Sequence, residues 1–157
     1  MTNVNVGHPL YFRTANSEAS LPNFMRAQLY ATMATLRLGM NILFEKEHVH
    51  AKLFTAHGGL FKVSGVAQTF LANALNTPIA VMKTAGEGGA WGMALLAAYM
   101  LSKNEESLEN WLDTHVFENM KKETVAPDQA GALGFSKYLE RFDAALATER
   151  YMEDRTC

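Results

Sequence analysis

The run with the most chemical potential in this 157-residue chain is Thr55-Ala56-His57-Gly58-Gly59-Leu60-Phe61-Lys62-Val63-Ser64-Gly65. A short apolar segment feeds a Gly-Gly turn, and a helical pattern starts a few residues later. Glycines adopt positive φ without a Cβ clash and let a bulky ligand approach the backbone. The N–H groups that open a helix lack partners within it and carry a partial positive charge, which suits a phosphate. Lys62 adds a formal charge. Many strand-to-helix turns carry glycine for geometry alone, so this turn points to phosphate only in company with other signals.

A second turn, Gly86-Glu87-Gly88-Gly89-Ala90-Trp91-Gly92, also joins a strand pattern to a helix pattern. It lacks the Gly-Lys-Ser/Thr ending of a P-loop, and Trp91 replaces the last glycine of Gly-x-Gly-x-x-Gly. Glu87 would repel a phosphate but suits a helix N-terminus or a ribose hydroxyl, so close helix packing is the plainer reading. His48-Val49-His50 would set two imidazoles on one face of a strand, yet no third ligand stands at a metal-binding spacing, and no metal site is assigned. Ser64 and Ser136 lack the Gly-x-Ser-x-Gly elbow, and Cys157 is the last residue. No catalytic residue is assigned.

The elements that must hold these turns are readable from periodicity. Met25, Leu29, Met33, Leu36, Met40 and Leu43 recur at spacings of 4, 4, 3, 4 and 3, which predicts a helix over 21–45 with this stripe in the core. Ser20 is its expected N-cap, with Pro22 in the first turn. Residues 5–13 read as a strand or hairpin arm and 14–20 as a loop. Residues 51–56 predict a strand, a helix is expected from Ser64 or Gly65 to Asn76, stopped by Thr77-Pro78, 79–82 predict a second strand, and 90–101 a third helix rich in alanine. A short helix is expected at 108–112, a charged stretch through Glu123, a loop from Pro127 holding Gly131 and Gly134, and a last helix carrying Phe135, Leu139, Phe142 and Leu146. The alternation is that of an α/β domain with a small parallel sheet and flanking helices.

Composition narrows the class. Hydrophobic residues make up 48% and charged residues 19%, an ordinary globular balance that excludes a disordered or fibrous chain. A net charge of −2 argues against nucleic acid or an anionic membrane as the main partner. One cysteine excludes an internal disulfide, and the expected compartment is the cytoplasm. The longest uncharged apolar run, Gly88 to Leu101, has fourteen residues and is too short to span a bilayer.

Three segments taken together resemble a known family. Gly58-Gly59-Leu60-Phe61-Lys62, then Gln68 through Ile79 with Asn73 and Pro78, then Glu87-Gly88-Gly89-Ala90-Trp91-Gly92-Met93-Ala94, are similar to the C-terminal domain of the FGGY carbohydrate kinases, and within them to the xylulokinase and ribulokinase branch. That domain carries a Gly-Gly loop, a helix with Gln and Ala-Asp, a Pro-Val strand, and Glu-x-x-Ala-x-Gly-Ala-Ala ahead of the next helix. The helix containing Arg26 and Gly39 also resembles the one preceding the family's Gly-Gly loop. The similarity runs from about Phe12 to Tyr151.

The resemblance implies an actin-like, ribonuclease-H-like ATPase domain, one of two that close over ATP with Mg and a sugar, which here would be a pentulose such as xylulose or ribulose. Carried over by position, Gly58 and Gly59 take the phosphate side of the nucleotide, while Lys62 and Val63 line its nucleoside side. The chain departs from the family at Val63, where Ser or Asn is common, at Asn73, where Asp is frequent, and at Leu60, which replaces a third glycine. In the family the phosphate loop of the N-terminal domain, most sugar contacts and the catalytic aspartate lie upstream of this region. Nothing in residues 1–20 matches them. Residues 1–157 are therefore expected to form a single domain, the ATP-side half of a two-domain sugar kinase, with the catalytic half absent and no activity alone. The alternative is a non-catalytic domain of the same fold that senses nucleotide or binds a partner.

Overall fold

The computed structural model describes residues 10–82, 88–102, 106–118 and 120–156. Helix α1 spans Leu21–Asn41 and continues into a π-helical turn, Ile42–Lys46. Ser20, in extended conformation, precedes it, and Pro22 sits where a missing N–H costs nothing. Strand β1 is Phe54–Ala56, followed by a 3₁₀ turn at Gly59–Lys62 and by α2 at Val66–Leu75. Asn76 closes α2 in the left-handed region, φ 48°, and its amide returns to the Ala72 carbonyl. Pro78 then prevents the helix from resuming. Strand β2 is Ile79–Met82, α3 is Gly88–Leu101, and α4 is Leu108–Leu112 with a π-helical turn through Phe117. Strand β3, Lys122–Val125, and a 28-residue α5, Gln129–Thr156, complete the described chain.

The strands form one sheet in the order β1-β2-β3. β1 and β2 are parallel, with Phe54 opposite Ile79 and Ala56 opposite Val81, as expected for two strands joined through α2. The third strand is antiparallel, pairing Ile79 with Val125 and Met82 with Lys122, so the sheet is mixed. The sequence pattern hides β3 because three of its four residues are exposed, leaving no apolar alternation. The other departures are local. Residues 48–50 are not a strand, and His48 has φ 51°. Residues 10–13 are irregular, while 5–9 lie outside the described residues. Gly131 and Gly134 lie within α5 and not in a loop.

The core lies between the sheet and α1, α2 and α5. It is built from Met33, Ala34, Leu71, Ala72, Ala74, Leu75, Ile79 and Phe135. Tyr30 joins the three helices, with its ring 5.3 Å from Phe70, 5.3 Å from Phe135 and 5.1 Å from Tyr138. Such aromatic pairs add about 0.5–1.5 kcal/mol each beyond buried area. The apolar stripe of α1 is only partly core. Met33 is buried, Leu29 and Met40 are half-buried, and Met25, Leu36 and Leu43 are exposed. The packed face runs through Tyr30 and the fully buried Ala34, residues of weak hydropathy, so a stripe read from Met and Leu is rotated away from it.

Two amide side chains on α2 tie in the last third of the chain. Gln68 Nε2 donates to the Ile79 and Glu123 carbonyls, 2.8 Å each, bridging β2 and β3. Asn73 Oδ1 accepts from the Asp128 amide at 2.8 Å. Asp128 in turn accepts the Gly131 amide at 2.7 Å and so caps α5.

Candidate functional site

Because β1 and β2 are parallel, their carboxyl ends lie at the same edge of the sheet. Ligands of α/β sheets bind at that edge. The first turn begins at His57 and Gly58. Gly58 has φ 119° and ψ 168°, a region essentially restricted to glycine. Its carbonyl accepts the Phe61 amide at 3.0 Å, which starts the 3₁₀ turn. Phe61 packs on the core and anchors the loop.

Gly58 is half-buried, while Gly59, Lys62 and Val63, which follow it in the same turn, are exposed. An added Cβ at either glycine would meet no atom within 4 Å, so the space above the loop is open. Among the described residues, neither the Gly58 nor the Gly59 amide donates a hydrogen bond. Val63 is extended and mostly exposed, at the end of the turn. The expected adjacency of the Gly-Gly turn to a helix start is looser than the spacing suggests. Gly65, with φ 78°, redirects the chain before α2, so the α-helix opens after the 3₁₀ turn and not at Gly59. The amides offered at Gly58 and Gly59 are thus loop amides.

The second turn falls mostly on residues 83–87, outside the described residues, so Glu87 cannot be set against the loop. Its far end is clear. A Cβ at Gly88 would lie 2.9 Å from the His57 Cβ, so the start of α3 rests against the residue preceding Gly58. One turn on, the Trp91 ring stacks on the His57 ring, with centroids 6.5 Å apart and planes 22° apart. Phe117 meets Trp91 edge-on at 6.3 Å, and Lys122 Nζ lies 5.8 Å from the Phe117 ring centre. This aromatic wall links the Gly58-Gly59 turn and the start of α3 to the start of β3. Sequence reasoning assigned His57 and Trp91 no role, since residues 34 positions apart carry no periodic signal; the clue was the position of each beside a Gly-Gly pair. Asn73, read as a departure from a family pattern, accepts the Asp128 amide at the start of α5.

This arrangement offers backbone donors, open space and an aromatic flank, which are the means of holding a phosphorylated planar ligand. Among the described residues, no group of three or more His, Cys, Asp or Glu could hold a metal ion. No described helix is long and apolar enough to cross a membrane.

A parallel strand pair joined through α2, with an antiparallel third strand and helices packed behind it, defines a small α/β domain. The sequence profile of the FGGY family of carbohydrate kinases, C-terminal domain, matches residues 4–101, and the chain belongs to that family. Among solved structures, the xylulose kinase from Rhodospirillum rubrum is similar in fold, with a TM-score of 0.63 and 21% identity. The similarity covers 90% of this chain and 28% of that one. A comparison with curated proteins gave no match.

Proposed function

We propose that this chain is the ATP-side half of a cytoplasmic carbohydrate kinase that transfers the γ-phosphate of ATP to a hydroxyl of a pentulose. The observation that carries this reading is the Gly58-Gly59 loop: glycine-only backbone at Gly58, loop amides that donate no hydrogen bond among the described residues, and open space at the carboxyl edge of β1. In this reading the two amides lie beside the phosphates, and Lys62 and Val63 flank the nucleoside. Mg would ride on the phosphates and on residues of the other half. Phosphoryl transfer needs an in-line hydroxyl, a base and a metal-bridged triphosphate held together, and those groups belong to the second half of the cleft. The pentulose assignment draws on the xylulose kinase named above and on the sequence resemblance.

The test is an amide-resolved titration of the labelled chain with MgATP. Shifts should centre on Gly58, Gly59 and Val63, at millimolar affinity, since half the cleft contributes only part of the contacts. Movement of Gly88 and Gly89 with Gly58 and Gly59 unmoved would sink the assignment.

A further inference from the structure

His57 is an exposed residue with a held ring. A Cβ at Gly88 would lie 2.9 Å from its Cβ and 3.3 Å from its Cγ and Nδ1, so bare backbone fits closely against the root of the imidazole. The ring plane faces Trp91, 22° from parallel. Gly88 and Trp91 stand three residues apart on α3, so one side of that helix makes both contacts. Trp91 is half-buried and is braced in turn by the edge-on ring of Phe117. Core packing does not account for this fit, since no residue of α3 is buried and none packs against the core cluster.

The position of His57 gives the fit a use. The Gly58 N–H lies in the peptide plane that leaves His57, and the two glycines that follow have no side chains by which to be held. Glycine loses more conformational freedom on ordering than any other residue. The loop is therefore fixed from its flanks. Downstream, the Phe61 amide donates to the Gly58 carbonyl and the Phe61 ring packs on the core. Upstream, Ala56 is paired with Val81 in the sheet, and His57 alone separates it from Gly58. Its ring is the last side-chain hold on the chain before the two donors. Donors already aimed lose less freedom when a ligand binds, which strengthens binding without a new contact.

We propose that the His57–Trp91 stack positions the Gly58 and Gly59 amides, so that Trp91, 34 residues further along, governs nucleotide affinity through the loop and not by touching the ligand. This rests on the phosphate role given to the loop above. Amide order parameters and MgATP titrations of the labelled full chain test it. In Trp91→Ala and in His57→Ala, Gly58 and Gly59 should lose order in the free chain, with the β2 amides unmoved. MgATP should bind each about fivefold more weakly. Trp91→Phe keeps a ring against His57 and should restore both readouts, whereas the double alanine variant should be no weaker than either single one. Glycine amides that stay ordered in both alanine variants, an affinity indifferent to their loss of order, or single losses that multiply in the double variant would overturn the proposal. Wild-type Gly58 and Gly59 amides that ignore MgATP would defeat the phosphate role instead, and the order parameters would still decide whether the stack positions the loop.

Discussion

Gly131 and Gly134 lie three residues apart in α5, where alanine is ordinarily worth about 1 kcal/mol more than glycine. Their surroundings predict opposite outcomes. A Cβ at Gly131 would lie 2.8 Å from Asn73 Cγ and closer still to its amide nitrogen, in the contact that fixes Asp128. At Gly134 the nearest atom is Tyr30 Oη at 3.9 Å. Thermal unfolding should show Gly131→Ala destabilised and Gly134→Ala stabilised by about 0.5–1 kcal/mol. Tyr138 gives a pH test. Burial raises its pKa from the ordinary 10.0, so the unfolded chain releases this proton first. Its contribution is complete below pH 10 and is lost as pH rises through the folded value. Stability curves of Tyr138→Phe should be flatter than wild type over that alkaline range. At this scale the sequence was informative where backbone geometry dictates residue type. Gly58 was recognisable because few other residues tolerate its φ and ψ. His57 and Trp91 were not, because a stacking contact between distant residues leaves no local mark.

At the scale of elements, α1 separates two kinds of apolar residue. Met33, 3% exposed, should cost about 2–5 kcal/mol when replaced by alanine. Leu36 is 44% exposed and should cost well under half as much in the same urea titration, although both belong to the stripe that sequence periodicity assigns to the core. Strand β2 and the end of α2 were legible because an apolar run and an Asn-Thr-Pro stop leave little choice. Strand β3 was not. Its residues Lys122, Glu123 and Thr124 look like a solvated linker, and only pairing with Met82, Val81 and Ala80 makes them a strand. The length of α5 was underestimated for a related reason: two glycines near its start read as loop, while the Asp128 cap and the close fit of Gly131 on Asn73 hold them helical.

For the molecule as a whole, the proposed division of labour in the kinase sets the expectation. Incubated with MgATP and xylulose or ribulose, the purified chain should form no sugar phosphate, and any detectable ATP-dependent product would contradict the assignment of the catalytic groups to the other half.

The two clasps from α2 have one more consequence. Gln68 and Asn73 each reach a backbone group 55 residues further along the chain, and both do so with neutral amides. Dissolved salt screens attraction between formal charges but has little hold on a buried amide–carbonyl bond. Attachment of β3 and α5 to the rest of the fold should therefore be indifferent to ionic strength. Exchange of the β3 amides with deuterium should proceed at the same rate in dilute buffer and in molar sodium chloride, a constancy that ion-pair docking would not give.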